Sequence, residues 1–272
     1  MISFNQIYEQ NILPRYGNLR NNDSELLLDN TIPHQYCISN RQDLTNQEVF
    51  TIDPEGCQDA DDAFSIYYNE SNLFLAIHIA DPTEYINLES SLWNDIVNRT
   101  ITHYPSFHQP IHLMPSEILK SASLTVEIDD YEEIKNAISI ITEIDLETYL
   151  PTNNVKLEFT KIMVNKKNRL TYHEAATKIE DNFCIKIGVM ISEALFNQRS
   201  EKTVGTKLTE INNVSINKVE DSVSFSVDSK DVLKLKNMIG EFAIFANSFV
   251  GEYLKVNLDG MGIFRTCDAT SL

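Results

Sequence analysis

The sequence predicts an α+β fold in which one mixed sheet is flanked by helices. Segments typical of β-strands come first along the 272 residues, and segments with helical periodicity come later. Apolar residues make up 42% of the chain, while Gly and Pro number only eight each, which is the composition of a packed globular protein. We therefore expect a lead-in segment with weak periodicity over residues 1–45 and one folded domain over residues 46–272.

Seven segments have the composition of β-strands. In chain order they cover residues 49–52, 63–68, 73–80, 137–145, 155–164, 214–219 and 223–227. The turn-like sequence NESN at residues 69–72 predicts a hairpin between the second and third segments, and residues 220–222 predict another between the last two. Val155, Leu157 and Phe159 alternate with polar residues, which is typical of a half-buried strand.

Four segments predict helices, over residues 90–99, 171–179, 183–198 and 232–256. Thr171 and Glu174 have the spacing of a capping box, which marks a helix start. After the first helix, Pro105, Pro110 and Pro115 predict an extended stretch. The last helix carries apolar residues at helical spacing, which we expect to face the core: Met238, Phe242, Phe245, Phe249, Tyr253 and Val256.

The chain is strongly acidic, with a formal net charge of −18 at pH 7. Because phosphate binding requires a basic surface, this charge argues against a general nucleic-acid coat protein. It does not exclude an enzyme that guides nucleic acid through a local basic channel. The most basic stretch, residues 161–169 (KIMVNKKNR), is either a solvated turn after a strand or an edge that contacts phosphate.

We find neither a targeting signal nor a cysteine pattern typical of a zinc or disulfide site in the sequence. There is no signal peptide and no apolar run of about 18 residues, the minimum for a membrane span. The four cysteines are far apart and form no CxxC pair: Cys37, Cys57, Cys184 and Cys267. We therefore expect an intracellular, cytoplasmic protein without membrane contact, with reduced thiols and neither zinc nor disulfides.

The most distinctive segment is TIDPEGCQDADDA at residues 51–63, which contains the four aspartates Asp53, Asp59, Asp61 and Asp62. Apolar, β-prone residues lie on both sides of it, so we expect the carboxylates to lie in a tight loop between two buried strands. In an extended backbone Asp59 and Asp61 face the same way, whereas Asp62 points away from them unless the loop bends.

Clustered carboxylates repel one another unless a cation neutralises them or some of them stay protonated. Oxygen-only ligands at this density suit Mg²⁺, with Mn²⁺ as an alternative, and such ions drive phosphoryl chemistry. The main rival is a calcium-binding EF-hand loop, which requires Gly at its sixth position. Counting from Asp59, the sixth residue is Phe64, so the rival is excluded.

The aspartate segment resembles the signature of the RNB catalytic domain of the ribonuclease II and R family, and its D-P-x-G-C form is most like that of the hydrolytic subunit of the eukaryotic exosome. Other family motifs have counterparts in the same order: H-I-A-D at residues 77–81, M-L-P-E-x-L at 113–119, F-x-x-S-x-I-x-S-x-x-x-L-T-Y-x-E-A at 159–175, M-I-E-E-F-M-x-x-A-N at 238–247, and a short strand at 262–265. The resemblance covers residues 41–268.

This resemblance implies an RNB-like fold and a processive 3′→5′ exoribonuclease that hydrolyses single-stranded RNA with Mg²⁺ and releases nucleoside monophosphates. The family's catalytic and metal-site carboxylates correspond to Asp53, Asp59, Asp61 and Asp62. Tyr104 resembles the tyrosine that stacks on the terminal nucleotides, and Tyr172 lies on the implied RNA path. The alternatives are an ordinary surface aromatic for Tyr104 and a structural role for Tyr172. For His78 and Asp81 we expect packing and hydrogen bonding at a strand end rather than catalysis.

Two departures from the family pattern bear on function. Gly240 stands where the family has a Glu associated with ribose recognition, which leaves the preference for RNA over DNA open. The family's T-S-P-I-R-R-Y-x-D segment, with its catalytic arginine, and a later catalytic glutamate lie beyond residue 272. We therefore expect a partial RNB domain without its C-terminal third, whose remainder a second chain supplies if the enzyme is split.

Three functional hypotheses follow from these observations. The first is Mg²⁺-dependent hydrolysis of single-stranded RNA from the 3′ end. The second is a catalytically impaired RNB fold that works as an RNA-binding or regulatory module, or one half of a split nuclease. The third is a metal-binding globular protein without an RNA function.

Overall fold

A computed structural model describes residues 23–32, 37–57, 59–104, 110–126, 131–202, 214–219, 222–260 and 262. Residues 263–265 of the last sequence match lie outside these ranges, as do the predicted turn residues 220 and 221, Pro105 and Cys267. No helix in the described ranges combines the length and the apolarity needed to cross a membrane.

The elements of the described chain follow one another as predicted in outline. The strands are β1 (Gln42–Asp43), β2 (Thr51–Asp53), β3 (Asp62–Asn69), β4 (Asn72–Ala80), β5 (Glu132–Ile144), β6 (Pro151–Asn165), β7 (Arg169–Thr171), β8 (Val214–Val219) and β9 (Ser222–Val227). The helices are α1 (Asp23–Leu28), α2 (Ser91–Arg99), α3 (Ser116–Ala122), α4 (Tyr172–Ala176), α5 (Phe183–Lys202) and α6 (Lys230–Asn257), with short 3₁₀ helices at Pro82–Tyr85 and Lys166–Asn168.

Five strands form the main sheet, in the order β1-β6-β5-β4-β3. The pairs β3–β4, β4–β5 and β5–β6 are antiparallel, while β1 runs parallel to β6, so the sheet is mixed. The predicted turn at residues 69–72 is confirmed, since Asn69 pairs with Asn72. Strands β8 and β9 form the second predicted hairpin. The α+β class expected from the sequence is confirmed.

The main sheet has two different faces because successive residues of a strand point to opposite sides. One face carries large apolar side chains, including Phe64 and Ile77, and packs against α5 and α6 through residues such as Met238 and Phe242. At Gly188 of α5, an added Cβ would lie 2.7 Å from the sulfur of Met238. A side chain at residue 188 would therefore require the Met238 side chain to move.

The opposite face of the sheet carries small residues on its strands beside larger ones such as Ile141 and Ile162. Ala63, Ala76 and Ala137 are buried there, and Ala60 and Leu124 pack against them in a second apolar cluster. Small side chains allow a neighbouring loop to approach the strands closely. The loop that contains the aspartates therefore lies directly against this face.

Arg41 joins the start of the sheet to the end of β4. Its buried guanidinium lies 2.6 Å from an Asp81 carboxylate oxygen and 2.5 Å from one of Glu84. It also donates a 3.2 Å hydrogen bond to the carbonyl of Ala137 and lies over the ring of Phe159. Burial is the largest single influence on the pKa of Arg41 and lowers it. The Asp81 and Glu84 carboxylates together outweigh burial, so the pKa is raised. The predicted lead-in segment, residues 1–45, therefore contains regular structure in α1 and β1. Strand β1 is part of the main sheet.

Several predicted boundaries were wrong. Residues 116–122 form α3 rather than continuing an extended stretch, and Pro115 is the N-cap residue of that helix. Proline is tolerated at a helix start because its missing N–H has no partner there in any case. Strands β5 and β6 extend for 13 and 15 residues, beyond their apolar segments, because they pair with each other over this whole length. Helix α4 ends at Ala176 rather than at residue 179.

The predicted core face of α6 is buried over only part of its length. Met238 and Phe242 are buried, and Phe249 is partly buried against the same cluster. Tyr253 and Val256, which share the helical spacing, are instead 42% and 66% exposed. Periodicity identifies which side chains share a face, but it does not show how far a neighbouring element covers that face.

Candidate active site

The aspartate loop starts at a short parallel strand pair that the sequence pattern did not predict. Strand β2 pairs with β7, so that Asp53, the last residue of β2, lies opposite Thr171. The chain then turns, and the Cys57 N–H donates a 3.1 Å hydrogen bond to the carbonyl of Pro54. Gly56 adopts a φ of 82° at the third position of this turn, where residues with a side chain are strained.

Two backbone hydrogen bonds fix the other end of the loop. Leu124 donates to the carbonyl of Ala60, and Ala80 donates to the carbonyl of Asp61, each at 2.9 Å. Asp62 then begins β3, opposite Ile79 of β4. The loop is therefore attached to β7, to the segment after α3 and to β4, and these attachments limit the freedom of its carboxylates.

The four aspartates form one electrostatic cluster. Burial, then the charge of Asp62 and, more weakly, that of Asp61 raise the pKa of Asp53, which is about 6 after the opposing effects of a Cys57 hydrogen bond and the Arg169 charge. Burial and then Asp59 raise the pKa of Asp61, although the Asp61 side chain still reaches solvent. Burial and then Asp61 raise the pKa of Asp62. Asp62 therefore lies within range of Asp53 and Asp61, and Asp59 lies within range of Asp61.

The donor set of this cluster fits a hard divalent cation. One carboxylate oxygen of Asp53, Oδ2, is buried and has no hydrogen-bond partner in the described chain. An unsatisfied buried carboxylate oxygen beside other carboxylates is costly unless a cation or a proton neutralises it. Within the described ranges, however, no group of three or more His, Cys, Asp or Glu side chains is arranged so that it could hold a metal ion. The residues thus supply suitable types of ligand, and the assignment of the ion to Asp53, Asp59, Asp61 and Asp62 stays a prediction.

Each of the two predicted RNA-binding tyrosines lies near a different pair of aspartates. Tyr104 is 72% exposed. Its pKa is raised first by partial burial and then by the charges of Asp59 and Asp61. Tyr172 follows β7 directly, and burial, then Asp62 and Asp53, raise its pKa to about 12. Tyr104 therefore has a free ring face next to the cluster, while Tyr172 forms part of its wall.

Sequence reasoning missed two cationic or potentially cationic neighbours of the loop. Arg169 donates a hydrogen bond to the carbonyl of Cys57, and its charge lowers the pKa of Asp53. His112 Nδ1 lies 3.6 Å from Asp59 Oδ2. Arg169 belongs to the basic stretch noted in the sequence, where Lys166–Asn168 forms a turn after β6. Nothing in the sequence around His112 indicated its position.

His78 and Asp81 have the structural environments expected for them. The His78 ring is fully buried between the hydroxyls of Ser65, at 3.0 Å, and Ser139, at 2.7 Å, and burial lowers its pKa to about 3. Asp81 is buried in its ion pair with Arg41. A neutral imidazole held between two hydroxyls has its hydrogen bonds satisfied and stabilises the sheet.

The surroundings of Gly240 bear on the Glu that the family pattern has at this position. Open space surrounds the position where a Cβ would lie at Gly240. The adjacent carboxylate of Glu241 is buried and lies 2.5 Å from the Arg199 guanidinium. Glu241 is thus committed to this ion pair and does not replace the Glu that the family pattern has at residue 240.

We predict that divalent-metal affinity falls below about pH 6 and that Asp53→Asn weakens this dependence, while the raised pKa values of Asp61 and Asp62 keep part of it. The folded-state pKa of Asp53, about 6, exceeds the ordinary value of 3.8, so an ion must displace a proton below that pH, at about tenfold in affinity per pH unit. By the same linkage, Asp53 stabilises the metal-free fold at low pH, and this contribution is lost as the pH rises from about 4 through about 6. Mn²⁺ titrations followed by electron paramagnetic resonance measure the first effect.

Thermal unfolding of the metal-free protein measures the second effect. At about pH 7.5, Asp53→Asn should unfold at a higher temperature than the native protein because the variant buries no charge. The matched control is Glu55→Gln, which neutralises an exposed carboxylate in the same loop and should change neither quantity. A native Mn²⁺ affinity that stays constant between about pH 5 and about pH 7.5 would contradict the prediction.

Comparison with known proteins places this geometry in a family. The model of the RNB domain family matches residues 41–272. Ribonuclease R of Mycoplasmopsis pulmonis is 25% identical over 260 residues, which cover 92% of this chain and 34% of that protein. The human exosome complex exonuclease RRP44 is 26% identical over 270 residues, covering 88% of this chain and 27% of that protein.

A solved structure shares the fold. RNase R of Mycoplasma genitalium in complex with ribose-methylated single-stranded RNA has a TM-score of 0.69 and 20% sequence identity, covering 86% of this chain and 36% of that one. The chain spans about a third of the length of the relatives it matches. Because the family model covers most of the sequence, including every aspartate of the loop, the chain is a member of the RNB domain family.

Proposed function

We propose that this chain carries the carboxylate side of a hydrolytic site that shortens single-stranded RNA from its 3′ end, with Mg²⁺ or Mn²⁺, and releases nucleoside monophosphates. The observation that carries the proposal is the anchored loop, which holds four aspartates with interacting charges and in which Asp53 Oδ2 is buried without a hydrogen-bond partner among the described residues. RNB ribonucleases are generally dependent on divalent metal ions. A cation bound here would polarise the scissile phosphate and supply an activated water for hydrolysis.

The acidity of the chain limits how RNA can reach this site. With a net charge of −18 and four clustered carboxylates, the metal-free loop repels phosphate groups. Neutralisation of the loop by a divalent ion removes the strongest part of this repulsion. We therefore expect RNA to bind at the site only when the ion is present.

The two tyrosines provide contacts that do not depend on phosphate charge. The exposed ring of Tyr104 lies beside Asp59 and Asp61, where the terminal base of an RNA can stack on it. The ring of Tyr172 lies beside Asp53 and Asp62, with the Lys236 ammonium 5.7 Å from its centre. Tyr104 would thus hold the base, while Tyr172 borders the path of the strand.

Tyr104→Ala is expected to weaken RNA binding by about 1–3 kcal/mol, or roughly 5- to 150-fold, because a base loses its stacking surface. Fluorescence anisotropy of a labelled single-stranded RNA, with Ca²⁺ in place of Mg²⁺, measures the affinity. Tyr104→Phe keeps the ring and should bind nearly as well as the native protein. Equal affinities of the alanine variant and the native protein would assign Tyr104 to the ordinary surface instead.

The direct test of the proposed function uses purified protein, a 5′-labelled single-stranded RNA and Mg²⁺. We expect a ladder of products that shorten from the 3′ end, suppression by a chelator, and nucleoside monophosphates as the released product of a uniformly labelled RNA. A DNA of the same sequence tests whether Gly240 has relaxed the selection of RNA. An intact RNA under all conditions would contradict the proposal.

One further experiment distinguishes a complete nuclease from a split nuclease, a binding module and a metal-binding protein. Addition of a polypeptide that carries the family's T-S-P-I-R-R-Y-x-D segment tests whether a second chain completes the site. Shortening only after this addition would identify one half of a split nuclease. RNA binding without shortening in either arm would identify a binding or regulatory module, and metal binding alone would leave a globular metal-binding protein.

A further inference from the structure

His112 is held beside the aspartate loop by a short antiparallel contact. His103 and Ile111 exchange two backbone hydrogen bonds, of 3.0 and 2.9 Å. Next to them, Leu113 donates a 3.0 Å hydrogen bond from its N–H to the hydroxyl of Thr102. These bonds fix the backbone on both sides of residue 112. The His112 ring is therefore presented to the loop by a defined segment and not by a free chain.

The imidazole nitrogen that faces the loop lacks a hydrogen-bond partner. His112 Nδ1 is buried and makes no hydrogen bond within the described residues, although about a third of the side chain is exposed. The Asp59 carboxylate oxygen Oδ2 lies 3.6 Å away. A movement of about 0.6 Å brings these atoms to hydrogen-bond distance, which removes the cost of an unsatisfied buried nitrogen. Asp59 is thus the acceptor to which the ring is directed.

Among the four aspartates, Asp59 has the weakest backbone support. Asp53 ends β2 and Asp62 begins β3, so strand pairing orients both of them. The carbonyl of Asp61 accepts a hydrogen bond from Ala80. Asp59 lies in no strand, and the described contacts of its carboxylate are the Cys57 thiol, 4.0 Å from Oδ1, and His112 on the other oxygen. The direction of this carboxylate therefore depends on side chains.

We propose that His112 is a positioning residue that holds Asp59 toward the divalent cation of the carboxylate cluster. The inference deepens the proposed function and rests on it only for the presence of a cation site. Partners that orient ligating side chains change metal affinity by about 10- to 100-fold when they are removed. The role requires a donor at the position of Nδ1, and neither the charge nor the bulk of the ring can substitute for it.

Three substitutions separate this role from simple packing. In His112→Asn, the amide nitrogen can take the place of Nδ1, whereas in His112→Gln it takes the place of Nε2. Titration of the metal-free variants with Mn²⁺, followed by electron paramagnetic resonance without RNA, should show an affinity about 10- to 100-fold lower for His112→Ala and His112→Gln. His112→Asn should stay within about threefold of the native protein. The matched control is His173→Ala, which removes an exposed histidine on α4 and should leave the affinity unchanged.

The outcomes distinguish this inference from the nuclease proposal. Thermal unfolding of each variant shows whether the fold is intact before affinities are compared. An unchanged affinity in His112→Ala, an equal loss in His112→Asn and His112→Ala, or a native protein that binds no Mn²⁺ would overturn the positioning role. If the affinities follow the expected order while RNA stays intact, the role of His112 stands and only the nuclease proposal fails.

Discussion

Asp61→Asn is expected to reduce RNA shortening on the order of a thousandfold, equivalent to about 4 kcal/mol of transition-state stabilisation. Asp61 lies between the two halves of the cluster, because its charge raises the pKa of Asp62 and it is itself influenced by Asp59. Asparagine keeps the size of the side chain and one oxygen but removes the charge that neutralises a cation. The 5′-labelled RNA assay with Mg²⁺, measured as an initial rate, tests this expectation.

The loss should come from the site and not from unfolding. Neutralising one of several mutually repelling carboxylates does not destabilise the metal-free fold, so the Tm of Asp61→Asn should equal or exceed that of the native protein. Glu55→Gln removes the same charge from an exposed position in the same loop and should retain the native rate. If Asp61→Asn shortens RNA as fast as Glu55→Gln does, Asp61 has no role in the reaction.

Arg41→Ala is expected to lower the free energy of unfolding by about 3–5 kcal/mol. The substitution leaves Asp81, which is fully buried, without the cation 2.6 Å from its carboxylate. It also removes the hydrogen bond to the carbonyl of Ala137 and the contact with Phe159. Urea unfolding followed by the fluorescence of Trp93, the single tryptophan, reports the change.

An exposed ion pair provides the matched control for Arg41. Lys186 lies 3.0 Å from Glu180, and both side chains are largely in solvent. Removal of an exposed partner costs little, so Lys186→Ala should change the unfolding free energy by less than about 1 kcal/mol. Arg41→Lys keeps a charge but loses the paired contacts, and it should fall between the two alanine variants. Similar unfolding midpoints for Arg41→Ala and Lys186→Ala would show that the buried pair does not stabilise the fold.

Much of the sheet was predictable because its signals are local. The NESN turn and its flanking apolar runs determine the β3–β4 hairpin within about 20 residues of sequence, and the structure has that pairing. The Thr171 capping box likewise forms as predicted. Local signals do not predict the burial of a side chain where a distant part of the chain determines that burial. Tyr253 and Val256 follow the apolar spacing of α6, yet no described element covers them fully.

The composition of the site was predictable, but its surroundings were not. The pattern of four aspartates between apolar segments predicts a carboxylate site, but alternation along the chain does not predict that the charge of Asp61 acts on Asp62. The parallel pairing of β2 with β7, which brings Arg169 and Tyr172 to the loop, joins segments far apart in sequence. The approach of His112 to Asp59 is of the same kind, and single-sequence periodicity carries no information about such contacts.

The β2–β7 pair has a consequence for the order of events during synthesis. Asp53 lies opposite Thr171, 118 positions later in the chain. At ribosomal rates of about 5–20 residues per second, roughly 6–24 s separate the appearance of these two residues. For most of that interval, from the addition of Asp62 onward, the nascent polypeptide contains all four aspartates but lacks the strand that pairs with the one carrying Asp53. Completion of the carboxylate cluster is therefore a late step of co-translational folding.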